Sequence, residues 1–356
     1  MHVFTTLLVA VFSGYIILTN SLAMMIAPYV GGGEIKSTPE AHLVETESVF
    51  KDSVIPRVLL ESAPYQEAAV IDGVIEPAVK ASPLEALVNI FCTFTTKDSV
   101  RSTTGSGYFV HQNGVILTNA HVAQFLMLDD VLAGTGGCII RTGNPAVATY
   151  TADLLYISPA WVQKNAALLK EIAPSGTGER DYALLYVTGR VDNVPMPAVF
   201  PAIPVNTNLM KTGAVGAPVR AAGYPAEMLA SQGANAPLTG IEVGTTISEL
   251  MTFGSNYADL FTVAGSQIGQ QGSSGGPVAD ENGYAIGLIS TRGDDTKFGQ
   301  GSLRAVSLSY IDRTIKEETG YTLAQNLGGD LPFRAKIFRE TIVPFLERLL
   351  AENLVE

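Results

Sequence analysis

The hydrophobic pattern of the chain changes several times along its length. Residues 3–33 contain no Asp, Glu, Lys or Arg and include the long apolar run "VFTTLLVAVFSGYIIL". Residues 34–84 are acidic, contain scattered prolines and keep no sustained period, which is typical of a linker or stalk. Short β-rich runs separated by turn residues then extend from residue 85 to about residue 315, which predicts an all-β region.

The β-rich runs form two groups. The first, in residues 85–200, contains "LVNIFCTF", "GVILTNAHV" and "YALLYVTG", and its "QNG" is a good hairpin turn. The second, in residues 201–315, contains "GIEVGTTISEL", "DLFTVAG" and "YAIGLIST". Five prolines between residues 194 and 218 predict an irregular connector. Only residues 159–172 have helical spacing in the first group.

The last part of the chain, residues 316–356, differs from the β-rich region. Its segment 333–354 has apolar positions at helical spacing, which predicts an amphipathic helix that packs against the second half of the chain. Pro344 should kink this helix. The apolar positions on its predicted inner face are Phe338, Ile342, Phe345, Leu346 and Leu349.

The uncharged N-terminal segment, residues 1–33, resembles an export signal. Ser21 and Ala23 fit the small-x-small end of a cleaved signal peptide. No Lys or Arg precedes the apolar core, however, and the uncharged run exceeds the roughly 20 residues that span a bilayer. Residues 3–30 could therefore remain as a membrane anchor. Either alternative predicts an exported protein that is periplasmic, extracellular or held on the outer face of a membrane; a buried core helix is the third reading.

Composition and charge exclude some classes of function. Apolar residues make up 47% of the chain and charged residues 16%, which is enough for a sizeable core. The net charge of −12 disfavours a nucleic-acid partner, since a phosphate backbone is bound by positive charge. The two cysteines, Cys92 and Cys138, form no CxxC pair and have no His at metal-ligand spacing, so no metal site is expected. They are either two buried thiols or, in an exported protein, one disulfide.

A turn rich in glycine and serine, "GSSGGPV" (residues 272–278), contains the best candidate nucleophile. A serine hydroxyl needs a base, usually His, to accept its proton. Of the four histidines, two lie before residue 85, and His111 precedes the "QNG" turn, where it is expected to be exposed. His121 ends the strand-like run "GVILTNAHV", where a side chain can be displayed, and is the preferred base.

A carboxylate must also orient the imidazole. Asp181 lies directly before the apolar run "YALLYV", and Asp153 in "YTADLLYI" is the competitor.

The motif G-x-S-x-G would also fit an α/β-hydrolase, but that fold places its His after the Ser, and no His follows residue 121. The subtilisin order, Asp before His, needs a parallel sheet that the β-rich pattern does not supply. The order His121, Asp181, Ser274 is that of chymotrypsin.

The motifs "TNAHV", "DYALLYV" and "GSSGGPV", with "GSGYFV" before the His, together resemble those of the trypsin/chymotrypsin-like serine endopeptidases. The resemblance covers residues 85–315 and is strongest to the bacterial exported branch related to the high-temperature-requirement proteases. Two features depart from that branch. The separation of His121 and Asp181 is long, and no further β-rich region follows residue 315, so a PDZ module is not expected.

The resemblance implies two antiparallel β-barrels, one in residues 85–200 with His121 and Asp181 and one in residues 201–315 with Ser274. Ser274 would be the nucleophile, His121 the base and Asp181 the orienting carboxylate, while the N–H groups of Gly272 and Ser274 would form the oxyanion hole. The substrate would be a polypeptide and no cofactor would be needed. A protease-fold protein that has lost activity and acts in binding or scaffolding is the alternative. The sequence does not indicate an oligomeric state.

The resemblance also implies which residues bind the substrate. Ile268 would lie at the base of the primary specificity pocket, Gln271 at its entrance, and Ser290 and Thr291 along the wall that pairs with the substrate backbone. Because Ile268 carries no charge, cleavage after Lys or Arg is not expected, and small or medium apolar side chains are favoured. Arg292 is a complication, because it would favour Asp or Glu if it turned inward.

Overall fold

The computed structural model describes residues 80–95, 100–128, 136–167, 176–192, 194–227, 237–254 and 256–354. The predicted export segment and residues 34–79 of the predicted linker lie outside this part of the chain. Within it, no helix is both long and apolar enough to cross a membrane.

Six strands of the first half close into an antiparallel barrel. They are β1 (Leu87–Thr95), β2 (Val100–His111), β3 (Val115–Thr118), β4 (Gly136–Thr142), β5 (Val147–Ile157) and β6 (Ala183–Arg190). Their order around the barrel is β1-β2-β3-β6-β5-β4. The predicted "QNG" hairpin joins β2 to β3, with Gly114 at φ +85°, where a residue without a Cβ is favoured.

Six strands of the second half form a second closed barrel with the order β10-β11-β12-β9-β8-β7. They are β7 (Pro218–Gly223), β8 (Ile241–Met251), β9 (Leu260–Val263), β10 (Pro277–Ala279), β11 (Ala285–Arg292) and β12 (Leu303–Ser307). The predicted fold class, all-β with two antiparallel barrels and a helical C-terminal part, is confirmed. Closure leaves neither sheet with an open edge.

Short helices connect the strands, and longer helices follow the second barrel. They are α1 (Pro83–Ala86), α2 (Ala120–Ala123), α3 (Pro159–Asn165), α4 (Asp295–Phe298), α5 (Leu308–Thr319), α6 (Leu323–Asn326), α7 (Leu331–Thr341) and α8 (Val343–Leu354), with 3-10 turns at Gln124–Met127 and Thr212–Ala214. The stretch predicted as one kinked helix is thus two helices. Pro344 lies in the first turn of α8, where its missing N–H costs no helical hydrogen bond.

The expectation that the C-terminal helix packs against the second half is wrong. α7 lies against β5 and β6 of the first barrel. The Phe338 ring packs 6.1 Å from that of Tyr156, and Arg339 Nη1 donates to Asp153 Oδ2 at 2.9 Å. The core of the first barrel therefore continues into α5, α7 and α8, while the second barrel has a separate core. Helical periodicity shows that a face is apolar, but not which surface covers it.

The expectation that His111 is exposed is also wrong. His111 is only 3% exposed, and its Nδ1 accepts a hydrogen bond from the backbone N–H of Asn113 at 3.2 Å. The register between β2 and β3 shifts just before this residue, between Phe109 and His111. Such a bulge changes the face on which a side chain lies, which alternation along the sequence does not reveal. Burial lowers the pKa of His111.

Candidate active site

His121 lies just beyond the end of a strand. β3 is buried along its whole length, and the chain then turns at Asn119 into α2, whose second residue is His121. The Asn119 amide donates to the backbone oxygen of Asp181 at 2.9 Å, which ties this turn to the start of β6. The imidazole keeps 26% of its surface exposed and is therefore accessible from outside the barrel.

Strand pairing brings Asp181 to His121 although 60 residues separate them. β3 and β6 are antiparallel neighbours with Thr118 opposite Ala183, so the residues after β3 lie beside those before β6. Asp181 Oδ2 lies 2.8 Å from His121 Nδ1, and Oδ1 accepts the His121 backbone N–H at 2.9 Å. The competitor, Asp153, is paired with a C-terminal arginine instead.

This contact sets the tautomer and the charge of the pair. With Nδ1–H donated to Asp181, the Nε2 of neutral His121 is left to accept a proton. Burial lowers the pKa of His121, but the charge and hydrogen bond of Asp181 outweigh it and raise the pKa above its ordinary value. Burial raises the pKa of Asp181, yet His121 and the hydrogen bonds to the carboxylate bring it below its ordinary value.

The second barrel also contributes to this pair. Ser290, in β11, donates its hydroxyl to Asp181 Oδ2 at 2.7 Å and is only 3% exposed. The sequence assigned Ser290 to the wall that pairs with substrate, and did not predict a contact of its side chain with the carboxylate. A side-chain hydrogen bond between two barrels has no local signal in the sequence.

The glycine-rich turn distinguishes its two serines. Ser273 is fully buried, and its Oγ has no hydrogen-bond partner in the described part of the chain. Ser274 is only partly buried, and its Oγ donates to the backbone oxygen of Ser290 at 3.1 Å. Ser274 is therefore the serine whose hydroxyl lies beside the residue that contacts Asp181. Among the hydrogen bonds of the described residues, none joins Ser274 Oγ to His121.

The backbone of the turn has a shape that glycine permits. Gly272 and Gly275 have φ +94° and +91°, which side chains with a Cβ rarely adopt. A Cβ on Gly275 would lie 1.8 Å from the backbone oxygen of Ser106. Among the hydrogen bonds of the residues described, none uses the N–H of Gly272 or of Ser274. Two such N–H groups can hold an oxyanion.

Ser106, in β2, connects this turn to the first barrel through hydrogen bonds. Its Oγ donates to the backbone oxygen of Gly272 at 2.7 Å and accepts the N–H of Tyr224 at 2.9 Å, and its own N–H donates to the oxygen of Ser274 at 2.7 Å. Ser106 is fully buried. Ser106 belongs to the motif "GSGYFV", from which no role for this serine was predicted. A polar residue within a run of otherwise small and apolar residues could have indicated a buried hydrogen-bonding role for Ser106.

The residues predicted to form the specificity pocket lie in the second barrel. Ile268 is fully buried and belongs to that barrel's core, and Gln271 is exposed just before the glycine-rich turn. Thr291 is half-buried in β11, with an Oγ1 that has no partner among the described residues.

Arg292 extends away from the strand that contains Thr291. Its side chain is 65% exposed, and Nη2 donates to the backbone oxygen of Gly269 at 3.2 Å and lies 3.9 Å from Glu227 Oε1. The guanidinium thus joins the end of β11 to the segment between Ile268 and the glycine-rich turn. The structure therefore places a cation beside the predicted entrance.

The two cysteines face each other across β1 and β4, where Cys92 pairs directly with Cys138, and the structure joins them in a disulfide. Within the described ranges, no group of three or more His, Cys, Asp or Glu could hold a metal ion.

Two six-stranded antiparallel barrels, with His121 and Asp181 in one and Ser274 in the other, define a trypsin-like double-barrel fold. A family model for the trypsin-like peptidase domain matches residues 105–288, just over half of the chain, and this range includes all three residues. The chain belongs to the trypsin-like peptidase domain family. No curated protein is significantly similar to it.

Proposed function

We propose that this protein is a serine endopeptidase that hydrolyses polypeptides through a covalent acyl-enzyme. The observation that carries the proposal is the hydrogen-bonded pair of His121 and Asp181, which Ser290 links to the partly exposed hydroxyl of Ser274. Membership of a peptidase family supports a polypeptide as the substrate.

In the proposed reaction, Ser274 Oγ attacks the carbonyl carbon of the peptide while His121 Nε2 takes its proton. The N–H groups of Gly272 and Ser274 hold the oxyanion, and loss of one such donor typically costs 10²–10³-fold in turnover. His121 then gives the proton to the leaving amine, and the C–N bond breaks. A water, deprotonated by His121, attacks the acyl-enzyme, and Ser274 takes back the proton as the acid leaves. Asp181 remains ionised, which agrees with its lowered pKa.

For the specificity pocket, we propose small or medium apolar side chains on the residue before the cut. Ile268 offers no partner to a Lys or Arg head, and burying such a charge unpaired would cost several kcal/mol. Ser290 and Thr291 would bind the substrate backbone, with Gln271 at the entrance. Arg292 supports a competing preference for Asp or Glu. Digestion of an unfolded protein followed by sequencing of the new termini separates these outcomes, and predominant cleavage after Lys or Arg would refute both.

We further propose that the protein is exported and resembles the bacterial exported branch of the family, with residues 1–33 as a signal peptide or an anchor. The support is the uncharged apolar segment of the sequence. Fractionation of cells that express the full chain, followed by sequencing of its N-terminus, tests export and separates cleavage from anchoring.

A fluorophosphonate, which phosphonylates activated serines, tests the activity itself. We expect one adduct per chain, located on Ser274 by mass spectrometry. Ser274→Ala should abolish labelling and lower turnover by about 10⁴-fold or more, whereas the matched variant Ser273→Ala should keep both. If Ser273→Ala lost labelling and turnover while Ser274→Ala kept both, Ser273 would be the nucleophile. An unlabelled, inert but folded wild-type protein would favour a binding or scaffolding role.

A further inference from the structure

We propose that helix α5 positions Asp181, and with it His121, through a buried ion pair between Arg180 and Glu318 and a hydrogen bond between Tyr182 and Thr314. The pair lies outside the residues that touch the substrate in the proposed reaction. The inference rests on the proposed function only for its kinetic readout.

The backbone before Asp181 is held in an unusual conformation. Arg180 has φ +55°, and it is the only residue other than glycine with a positive φ in the described part of the chain. The left-handed region is unfavourable for a residue with a Cβ, so the surrounding contacts must hold it there. This conformation orients the peptide unit between Arg180 and Asp181, and the direction of the Asp181 side chain depends on it.

Three contacts from α5 hold Arg180. Its backbone N–H donates to the Tyr310 hydroxyl at 3.2 Å, Nη1 donates to Glu318 Oε1 at 2.5 Å, and Nη2 donates to Glu317 Oε2 at 3.0 Å. The Arg180 and Glu318 side chains are 10% and 0% exposed, whereas that of Glu317 is 59% exposed. The buried carboxylate is therefore the partner that is shielded from water.

Glu318 is anchored independently of Arg180. Its carboxylate also accepts hydrogen bonds from the hydroxyls of Tyr156, near the end of β5, and of Ser158, at the start of α3. Burial raises the pKa of Glu318 above its ordinary value, and the charge of Arg180 and these hydrogen bonds offset only part of that rise. The ionised carboxylate consequently depends on this set of partners and joins the first barrel to α5.

The residue on the other side of Asp181 is held by the same helix. The Tyr182 hydroxyl lies 2.8 Å from Thr314 Oγ1, and both residues are buried. Residues 180 and 182 are thus both tied to α5, while the Asp181 carboxylate between them contacts His121 and Ser290. A change in either tie would rotate the peptide units that carry Asp181.

The main test is Glu318→Gln, which keeps the shape of the side chain and removes its charge. We expect a roughly tenfold to hundredfold fall in kcat with KM within about twofold, since small displacements of catalytic groups act on the reacting geometry. Glu317→Gln is the matched control, because it removes the exposed carboxylate from the same guanidinium, and it should leave kcat within about twofold. Folding of each variant is checked by circular dichroism at the assay temperature.

A second readout does not require activity. The His121 Nδ1–H proton, assigned by its loss in His121→Ala, should give a far-downfield NMR resonance when it is bonded to Asp181. Glu318→Gln should shift or broaden this resonance, and Glu317→Gln should not. If the wild-type protein is not labelled by a fluorophosphonate, the proposed function fails, and this resonance alone decides the positioning role.

If Glu318→Gln does not fold, Tyr182→Phe provides the decision. It removes one hydroxyl, and its partner Thr314 still donates to the backbone oxygen of Tyr310 at 2.9 Å, so the variant should fold. We expect a several-fold lower kcat and a change in the same resonance. A folded Glu318→Gln protein with wild-type kcat and an unchanged resonance would overturn the proposal. If Glu318→Gln does not fold, a Tyr182→Phe protein with wild-type kcat and an unchanged resonance would overturn it.

Discussion

Replacement of Ser106 by alanine should damage the glycine-rich turn without touching a substrate-binding group. The substitution removes the donor to the Gly272 oxygen at 2.7 Å and the acceptor for the Tyr224 N–H at 2.9 Å. Ser106 is fully buried, so water cannot readily replace the hydroxyl. A buried polar group left without its partner costs about 1–3 kcal/mol, and two such groups predict a loss of about 2–4 kcal/mol in unfolding free energy after partial relaxation.

The effect on turnover should come from the Gly272 peptide. Release of its carbonyl would allow the segment between the two proposed oxyanion donors to rotate. A complete loss of one donor is worth about 2.7–4 kcal/mol, so partial misalignment predicts a roughly tenfold to hundredfold lower kcat with little change in KM. The backbone N–H of Ser106, which donates to the Ser274 oxygen, remains in place.

The assay compares urea unfolding and steady-state peptide hydrolysis for Ser106→Ala and a matched control, Ser102→Ala. Ser102 lies in the same strand, β2, but is exposed, so it should change unfolding free energy by less than about 0.5 kcal/mol and leave kcat unchanged. A folded Ser106→Ala protein with kcat within threefold of wild type would refute the reasoning, because the turn would then be held by other contacts.

Three further predictions concern the proposed triad and the disulfide. Asp181→Asn should lower kcat by about 10⁴-fold, because the wrong tautomer of His121 is stabilised, whereas Asp153→Asn should have little effect in the same assay; the reverse ranking would identify Asp153 as the partner. Because the pKa of His121 is raised and the base must be neutral, kcat/KM should increase with pH through a midpoint above the ordinary 6.5, and a midpoint below that value would contradict the pairing. Replacing Cys92 and Cys138 by serine should lower the unfolding free energy by up to about 4 kcal/mol in chemical denaturation, because the disulfide closes a loop with a sequence separation of 46; two titratable thiols in the denatured, unreduced protein would contradict the bond.

Features that depend on neighbouring residues could be predicted from the amino-acid sequence. β-rich runs and turn residues predicted strands in two groups, and "GSSGGPV" predicted a turn, in which Gly272 and Gly275 have a positive φ. Both features arise from local backbone preferences, which the order of amino acids records directly. Resemblance to a family added the arrangement of the strands in two barrels, and the structure confirms that arrangement.

The contacts between distant residues depend on the three-dimensional fold and could not be predicted from local sequence patterns. Ser106 lies 166 positions from Gly272, and Arg180 lies 138 positions from Glu318, and nothing local to either residue specifies its partner. The C-terminal helices cover the first barrel rather than the second. Of the residues predicted for their inner face, Phe338, Ile342 and Leu346 are buried and Leu349 is half-buried, but Phe345 is exposed, so that part of the prediction is wrong. Strand order, barrel closure and the apolar surface left uncovered determine these contacts, since burial is non-directional and any exposed apolar surface of suitable shape could have served.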